Sequence, residues 1–397
     1  MADRNLESAA EELKASIKKD GPDASFKHYT EILDNWRNVP VKLAVTGKSG
    51  VGKSSFINEI RCLRKDDKDF APISSYGNTT TKPTIYRYPG NPKITLHDLP
   101  GFGTTEFPKD EYEETMELHQ YDYVLIFVGN IEENDIEIAK KLKEMDKPFC
   151  FVRSQIDRDF DNARNDGEPT DEVIKKIKSK SLYILEQNGF KEAMFFAIST
   201  RDRRIGQFDE LVLYIQSNLP ELKSRAVKIS MVGVLSIELI DFKYEILKDR
   251  IWKISVTSAG LAAVPVPGVD VVLNIALICK ELWLYHKTFG FQQQIVMDII
   301  KTDYISMKLT SSSIVKIGAA NEAMQQFLLI ELGKLATLMA VQSAFDYIIP
   351  IIGSLVSGLT AGGVTYRLLY RVLDGCRDDA KLVYSHLMKV NAEVSFS

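Results

Sequence analysis

The sequence has no excess of basic residues, no paired cysteines and no long uninterrupted apolar run. Its 397 residues include 50 lysines and arginines against 54 acidic residues, for a net charge of −4. Binding to the phosphate backbone of DNA or RNA needs a basic stripe, so we expect no nucleic-acid partner. The four cysteines are far apart and lack a CxxC pair, which fits reduced thiols and argues against a disulfide framework or a zinc site: Cys62, Cys150, Cys279 and Cys376.

The first residues of the sequence match neither a secretory signal nor an N-myristoylation site. It begins MADRNLESAAEELK, which is too polar and charged for a secretory signal. Ala2 stands where N-myristoylation requires glycine. We therefore expect a cytoplasmic protein.

Three segments with few charges raise the question of membrane contact. Residues 254–279 have Asp270 as their one ionised residue before Lys280 but are divided by two prolines, and residues 347–366 are uncharged but interrupted by glycines. Residues 273–290 have an amphipathic pattern. Since a spanning helix needs about 20 predominantly apolar residues, these patterns favour core helices first, peripheral or hairpin-like membrane insertion second, and a spanning helix least.

The central part of the chain alternates between apolar runs and helical patterns, which predicts a doubly wound α/β sheet. Ligands of such sheets bind at the carboxyl ends of the strands. Long helical patterns fill residues 221–397, and residues 1–40 read as short helices. We predict an α/β domain over 41–220 and an all-helical domain built from 1–40 and 221–397. The apolar runs are 41–45, 94–98, 123–128, 148–152 and 194–199, and the helical patterns are 53–60, 135–145, 171–187 and 207–218.

A phosphate-binding loop follows the first apolar run. The segment GKSGVGKS (47–54) matches GxxxxGK[ST] and lies between the run VKLAV and a helical segment. Its backbone N–H groups and the helix N-terminus favour phosphate, Lys53 would reach the β- and γ-oxygens, and the Ser54 hydroxyl would bind Mg²⁺. The residues predicted to surround the nucleotide here are Gly47, Lys48, Ser49, Gly50, Val51, Gly52, Lys53, Ser54 and Ser55.

Two further segments complete the predicted phosphate and magnesium site. Asp98 and Gly101, in DLPG at the end of the second run, would hold a magnesium-bound water and contact the γ-phosphate. Between the two motifs lies GNTTTKP (77–83), where a threonine would complete the magnesium shell in the triphosphate state. We favour Thr80, with Thr79 next. Lys53, Thr80 and Gly101 are the predicted catalytic residues.

The segment RSQID (153–157) indicates which base is bound. Guanine-binding proteins usually have [NT]KxD at this place, where the aspartate pairs with guanine and the lysine stem covers the base. Asp157 fits this role and would reject adenine, whereas Ser154 and Gln155 depart from the pattern, with Gln155 in place of the lysine. Ser199 follows the last apolar run, where a small loop contacts the guanine oxygen. We expect GTP and GDP rather than adenine nucleotides, so a P-loop ATPase is the less favoured alternative.

Longer stretches of the chain resemble the immunity-related GTPases, interferon-inducible relatives of the dynamin-like GTPases. The generic part is GKSGVGKSSFIN (47–58). The more specific parts are TTTKPTIY (79–86), DLPGFGTTEFP (98–108), YDYVLIFV (121–128), NDIEIAKKLKEMDKPFCFVRSQID (134–157), QSNLPELKSR (216–225) and VPVPGVDVVL through KTFG (264–290). Lys53 groups the chain with the lysine-bearing members. The sequence departs from the family at Gln155, at Asn78, where many members are acidic, and at the N-terminus.

The resemblance implies a Ras-like domain inserted into a helical domain, GTP-dependent homodimers and larger homo-oligomers, contact with related GTPases, and peripheral association with vacuolar membranes that enclose pathogens. Phe102 stands where a Ras-like glutamine would orient water, and the phosphate loop offers Lys48 and Ser49 but no arginine. We therefore expect slow hydrolysis by a monomer, since a charge supplied in trans is worth roughly 10³–10⁵ in rate. The alternative is a nucleotide-gated scaffold with little hydrolysis.

Overall fold

The chain is described here from a computed structural model. The described residues are 19, 31, 34–73, 82–101, 112, 114–166, 170–201, 205–231, 237–262, 269–291, 296–297 and 359–394. The chain divides into two compact units. One combines Met1–Asn35 with Leu235–Ser397, and the other is Trp36–Val234. The limits at residues 40 and 220 proposed from the sequence remain predictions.

The Trp36–Val234 unit contains a six-stranded sheet with the order β2-β3-β1-β4-β5-β6. All neighbouring strands are parallel except β2 and β3, which are antiparallel. The chain order therefore reverses around β1, and the carboxyl end of β1 is the switch point at which such sheets bind ligands. The strands are β1 (Val41–Gly47), β2 (Thr84–Tyr88), β3 (Asn91–Asp98), β4 (Tyr123–Val128), β5 (Phe149–Arg153) and β6 (Phe195–Ala197).

Helices connect the parallel strands and bury their apolar sides against the sheet. The strand β4 (YVLIFV) is buried along its whole length, as expected for a strand covered on both faces. Apolar residues of α2 and α4 pack with β4 and β5 in one cluster around Ile126, Leu142, Phe151 and Leu185. The described helices of this unit are α1 (Lys53–Ile60), α2 (Glu133–Glu144), α3 (Ile156–Asn165), α4 (Thr170–Gln187), α5 (Phe208–Ser217) and α6 (Glu221–Ser230).

The other unit is helical in its described part, with α7 (Ile237–Ala262), α8 (Val269–Thr288) and α9 (Leu359–Val394). Its interior holds an ion-pair network, in which Arg250 of α7 pairs with Glu281 of α8 and lies 3.3 Å from Asp34. Arg250 and Glu281 are both buried, so the removal of Arg250 would leave the buried Glu281 carboxylate without its ion-pair partner. Lys280 also contacts Asp34, at 2.8 Å. Through Asp34, the network connects the N-terminal segment of this unit to α7 and α8.

The architecture confirms the predicted fold class, a Ras-like α/β sheet with helical segments. The amphipathic segment 273–290 is helical through Thr288, with Trp283 half-buried and most of its other apolar residues buried: Leu277, Ile278, Leu282, Leu284, Tyr285 and Phe289. Most of the uncharged segment 347–366 lies outside the described residues. None of the helices in the described part of the chain combines the length and apolarity that crossing a bilayer requires.

Candidate functional site

The phosphate loop owes its shape to glycines at the end of β1. Gly47, Gly50 and Gly52 have φ of 133°, 80° and 92°, in the left-handed region that side chains disfavour. A Cβ on Gly47 would overlap the carbonyl oxygen of Phe127, and one on Gly52 would overlap the Ser154 hydroxyl. Gly52 is also the N-cap residue of α1. The glycines therefore allow the chain to turn tightly from β1 into α1 while it passes close to Phe127 of β4.

Lys53 opens α1 and turns back into the loop. Its Nζ donates hydrogen bonds to the carbonyls of Gly47 at 2.7 Å and Lys48 at 3.0 Å. The side chain is buried, and this burial lowers the pKa of Lys53, while the nearby Asp98 carboxylate opposes the shift. A phosphate bound inside the loop would compensate the buried cation. The lysine is thus held in the position from which it can contact phosphate oxygens.

Ser54 and Asp98 come together at the carboxyl ends of β1 and β3. The Ser54 hydroxyl donates to Asp98 Oδ2 at 3.0 Å, and Asp98 is almost fully buried. These are the hard oxygen ligands that Mg²⁺ prefers. No cluster of three or more His, Cys, Asp or Glu within the described residues could hold a metal by itself. The Ser54 hydroxyl and the Asp98 carboxylate are two oxygen groups that fit the predicted magnesium ion.

The turn after β3 is fixed to β1 by a buried tyrosine. Tyr112 Oη donates to the carbonyl of Pro100 at 2.7 Å and shares a hydrogen bond of 2.7 Å with Thr46 Oγ1. Burial raises the pKa of Tyr112, with a hydrogen bond to Thr46 opposing the rise, so the phenol stays protonated and can donate. These bonds hold the segment Asp98–Gly101 beside the phosphate loop.

The outer side of the phosphate loop is attached to α2. Lys48 forms an ion pair with Glu132, the N-cap residue of that helix. The Glu132 N–H in turn donates to Asp135 Oδ2 at 2.9 Å, which completes a capping box. Asp135 is buried, and this burial raises its pKa to about 6, opposed by the Glu132 backbone hydrogen bond. Glu132 was not predicted from the sequence, because it lies 84 residues from Lys48.

The loop after β5 contacts the phosphate loop from the other side. Ser154 Oγ donates to the carbonyl of Val51, and Gln155 Nε2 donates to the carbonyl of Gly50 at 2.8 Å. Gln155 has a φ of 62° and is the N-cap residue of α3. Its side chain therefore attaches the segment 153–157 to the phosphate loop by a neutral hydrogen bond.

Asp157 and Ser199 meet at the far end of this loop. The Ser199 hydroxyl donates to Asp157 Oδ1 at 3.0 Å and accepts the N–H of Arg201 at 3.2 Å. The guanidinium of Arg201 lies 3.7 Å from Asp157 Oδ2. Arg201 was not among the residues predicted for the site, although its position two residues after the predicted Ser199 could have indicated it.

The structure brings most of the predicted residues to one edge of the sheet. The phosphate loop residues, Asp98, Gly101, Gln155, Asp157 and Ser199 all follow or flank the carboxyl ends of β1, β3, β5 and β6. Ser49, Val51 and Ser55 lie in or next to the loop itself. Thr80 and Thr79 lie outside the described residues, as do Asn78 and Phe102. Their predicted roles remain predictions.

A mostly parallel sheet with a glycine loop at its switch point, a buried loop lysine and a Ser–Asp pair beside it define a P-loop nucleotide-binding protein of the Ras-like type. The model of the interferon-inducible GTPase family matches residues 8–383. The chain belongs to this family, which confirms the resemblance noted in the sequence.

Individual relatives are moderately similar over much of their length. Interferon-inducible GTPase 5 of Rattus norvegicus is 28% identical over 358 residues, which cover 88% of this chain and 75% of that protein. T-cell-specific guanine nucleotide triphosphate-binding protein 2 of Mus musculus is 32% identical over 66% of this chain and 63% of its own length. A solved structure described as a probable GTP-binding protein engB is 20% identical, covering 45% of this chain and 98% of its own, with a TM-score of 0.28.

Proposed function

We propose that this chain binds and hydrolyses GTP with Mg²⁺, assembles in the GTP state, and acts at intracellular membranes in cell-autonomous immunity. The observation that carries the first part is the arrangement of Lys53, Ser54 and Asp98. A buried lysine donates into the glycine loop, and a hydroxyl and a carboxylate face each other 3.0 Å apart beside it. Together these groups supply the point charge and the metal ligands that phosphoryl transfer needs.

The residues of the phosphate end have separate tasks in this proposal. Lys53 exchanges its bonds to the Gly47 and Lys48 carbonyls for the β- and γ-oxygens. Ser54, through its hydroxyl, and Asp98, through a bound water, would hold the magnesium ion. The Gly101 N–H and Thr80 bind the γ-phosphate side. When bound, Mg²⁺ would neutralise charge that develops on the phosphate oxygens.

Selection of guanine is assigned to Asp157. Its carboxylate can accept both the N1–H and the exocyclic amine of guanine, whereas adenine presents an acceptor at N1. Ser199 holds this carboxylate in place through a 3.0 Å hydrogen bond, so the group is positioned before the base arrives. A mouse relative is named as a guanine nucleotide triphosphate-binding protein, and this name supports the same choice of base.

Hydrolysis is proposed to depend on a second copy of the chain. Lys48 is paired with Glu132 in the structure, and Lys53 is already assigned to the β- and γ-oxygens, so the phosphate loop offers no further cation. Phe102, which follows Gly101, cannot orient an attacking water. The missing charge would then come from the partner in a GTP-dependent homodimer or larger homo-oligomer. Related GTPases are further candidate partners.

Membrane contact is proposed to be peripheral, with the protein otherwise cytoplasmic. The support is the family description, interferon-inducible, together with the immunity role that the sequence resemblance implies. Flotation of the full chain with liposomes in the presence of GTP, GDP or no nucleotide would test this part. Recovery in the liposome fraction that is independent of nucleotide would contradict an attachment gated by GTP.

Turnover measured against protein concentration tests the enzymatic part. Specific activity per molecule should rise with concentration in the range where GTP, but not GDP, drives dimers by light scattering. ATP measured in parallel should give little turnover. Flat, measurable activity across a hundredfold dilution would contradict a charge supplied in trans. Association with GTP but without turnover would favour a nucleotide-gated scaffold, for which Gln155, Asn78 and Phe102 are the supporting residues.

Thr80 links hydrolysis to assembly in this proposal. Thr80→Ala should lose turnover and GTP-dependent association together, because one hydroxyl would couple the γ-phosphate and the metal to the assembly surface. Thr80→Ser keeps that hydroxyl and is the matched control. If Thr80→Ala associates and hydrolyses like the parent chain, the role passes to Thr79, which the corresponding alanine variant would test.

A further inference from the structure

The guanine end of the site contains a cation that the base-recognition motif lacks. The side chain of Asp157 is 13% exposed, and the Arg201 guanidinium lies 3.7 Å from its Oδ2. Among the ion pairs of the described residues, Asp157 pairs with this arginine alone. Arg201 itself is 71% exposed. An exposed cation thus lies next to the carboxylate assigned to guanine.

Gln155 cannot provide this charge. It occupies the place where guanine-binding motifs usually carry a lysine, and its amide is neutral. Its Nε2 is directed at the Gly50 carbonyl at 2.8 Å, so the side chain connects the two loops. With glutamine at position 155, this motif provides no positive charge beside the base and the Asp157 carboxylate.

The backbone places Arg201 where it can fill that role. Its N–H donates to the Ser199 hydroxyl at 3.2 Å, and the same hydroxyl donates to Asp157 at 3.0 Å. One serine therefore fixes both the carboxylate and the start of the arginine side chain. The loop that carries Arg201 follows β6, whose carboxyl end lies beside that of β5.

We propose that Arg201 covers the guanine base and supplies the positive charge of the base site in place of the usual lysine. The inference rests on the function proposed above. A guanidinium is planar, stays charged and stacks on aromatic faces, which a base offers. In its present ion pair the guanidinium is exposed and lies 3.7 Å from the carboxylate, and long pairs of exposed cations stabilise little. Arg201 therefore moves from the edge of Asp157 to the face of the base at small cost.

The same contact could have the opposite effect. If Arg201 occupied the guanine position on Asp157, it would compete with the base, and its removal would strengthen binding. The two roles differ in the sign of the effect of one substitution. The sign can be measured directly.

The experiment compares four full-length variants with the parent chain by calorimetric titration of GDP, the GTP analogue GMPPNP and ADP. Arg201→Gln should weaken GDP and GMPPNP about tenfold and equally, since both carry the same base, with a smaller change for ADP. Gln155→Lys should restore most of this loss when combined with Arg201→Gln, because it returns the charge from the other side of the base. Gln155→Lys alone should change the affinity for GDP and GMPPNP less than Arg201→Gln does. Arg164→Gln, at an exposed position near the end of α3, is the control and should bind like the parent.

The possible outcomes test the role of Arg201 separately from the proposed function. Parent-like or tighter binding of GDP by Arg201→Gln would overturn the role of Arg201 while leaving the proposed function intact. A loss that Gln155→Lys fails to restore would show that the arginine acts through the loop structure, and would also overturn it. No measurable binding of guanine nucleotides by the parent chain would overturn the proposed function together with this inference.

Discussion

The two ends of the candidate site are built in different ways. At the phosphate end, most of the geometry comes from nine consecutive residues, with backbone N–H groups, three left-handed glycines and one buried lysine. At the base end, Gln155, Asp157, Ser199 and Arg201 come from two loops and act through side chains. The first arrangement tolerates little change in the backbone. The second can exchange one side chain for another.

This difference explains where the chain departs from the usual pattern. The phosphate loop matches its motif at every defined position, whereas the base motif has glutamine in place of lysine. A loop that wraps phosphate depends on left-handed φ angles, which side chains disfavour. A cation near a base can come from any loop that reaches it. The comparison therefore predicts large losses from substitutions at the phosphate end and more graded, ligand-dependent changes at the base end.

The largest effect is expected for Lys53→Ala. The substitution removes the one loop cation that is buried and aimed at the phosphates, and truncation of such a charge costs about 2–5 kcal/mol of binding, at least roughly thirtyfold in affinity. Fluorescent GTP and GDP titrations would measure the loss, and circular dichroism would show that the fold is intact. Lys65→Ala, at an exposed position after α1, is the control. GTP affinity like that of the parent would remove the P-loop assignment.

The next effect concerns the backbone of the same loop, where two glycines form a matched pair. Gly47 and Gly50 both have positive φ, but a Cβ would overlap the Phe127 carbonyl at Gly47 and meet nothing within 4 Å at Gly50. Gly47→Ala should therefore destabilise the unit by about 2–4 kcal/mol, from φ strain and overpacking together.

Gly50→Ala adds only the φ strain, so its loss should be about 1 kcal/mol. Urea unfolding of both full-length variants would provide the comparison. Equal losses would show that conformational strain alone, and not the close approach of β4, requires glycine at position 47.

The same contrast decides how much could be predicted from the sequence. The α/β fold, its five parallel strands and the phosphate loop were predictable because each depends on local periodicity or consecutive residues. The edge strand β2 was missed because its side chains are mostly exposed and give no apolar alternation. The helix α3 was missed because only Ile156 and Ala163 are buried in it. The pair Lys48–Glu132 joins loops 84 residues apart, so no local pattern indicates it, and the Arg201–Asp157 pair could be approached only through the position of Arg201 two residues after Ser199.

At the base end, Asp157→Asn should change which nucleotide is preferred. The amide cannot accept both guanine donors, and the loss of a charge-assisted pair of about 1.5–3 kcal/mol corresponds to roughly ten- to hundredfold weaker GTP binding. Xanthosine triphosphate should gain, because the new amide N–H matches the xanthine carbonyl. Competition titrations with GTP, xanthosine triphosphate and ATP would measure the exchange. If ATP competes equally with GTP for the parent chain, the assignment of the base is wrong.

The last substitution, which should stabilise the protein, lies beside the phosphate end, where Asp135 closes the cap of α2. Burial raises its pKa to about 6, above the value of about 3.9 for an unfolded chain. The folded protein therefore binds the proton more tightly, and the contribution of this carboxyl to stability falls as the pH rises from about 4 to about 6.

Asp135→Asn keeps an oxygen that accepts the Glu132 N–H but never ionises. It should stabilise the protein by about 1–2 kcal/mol at pH 7.5 and leave stability nearly unchanged at pH 4. Urea unfolding at both pH values would measure this, with Glu133→Gln, an exposed acid in the same helical turn, as the control. A destabilised Asp135→Asn at pH 7.5 would mean that the ionised carboxylate is needed at the helix N-terminus.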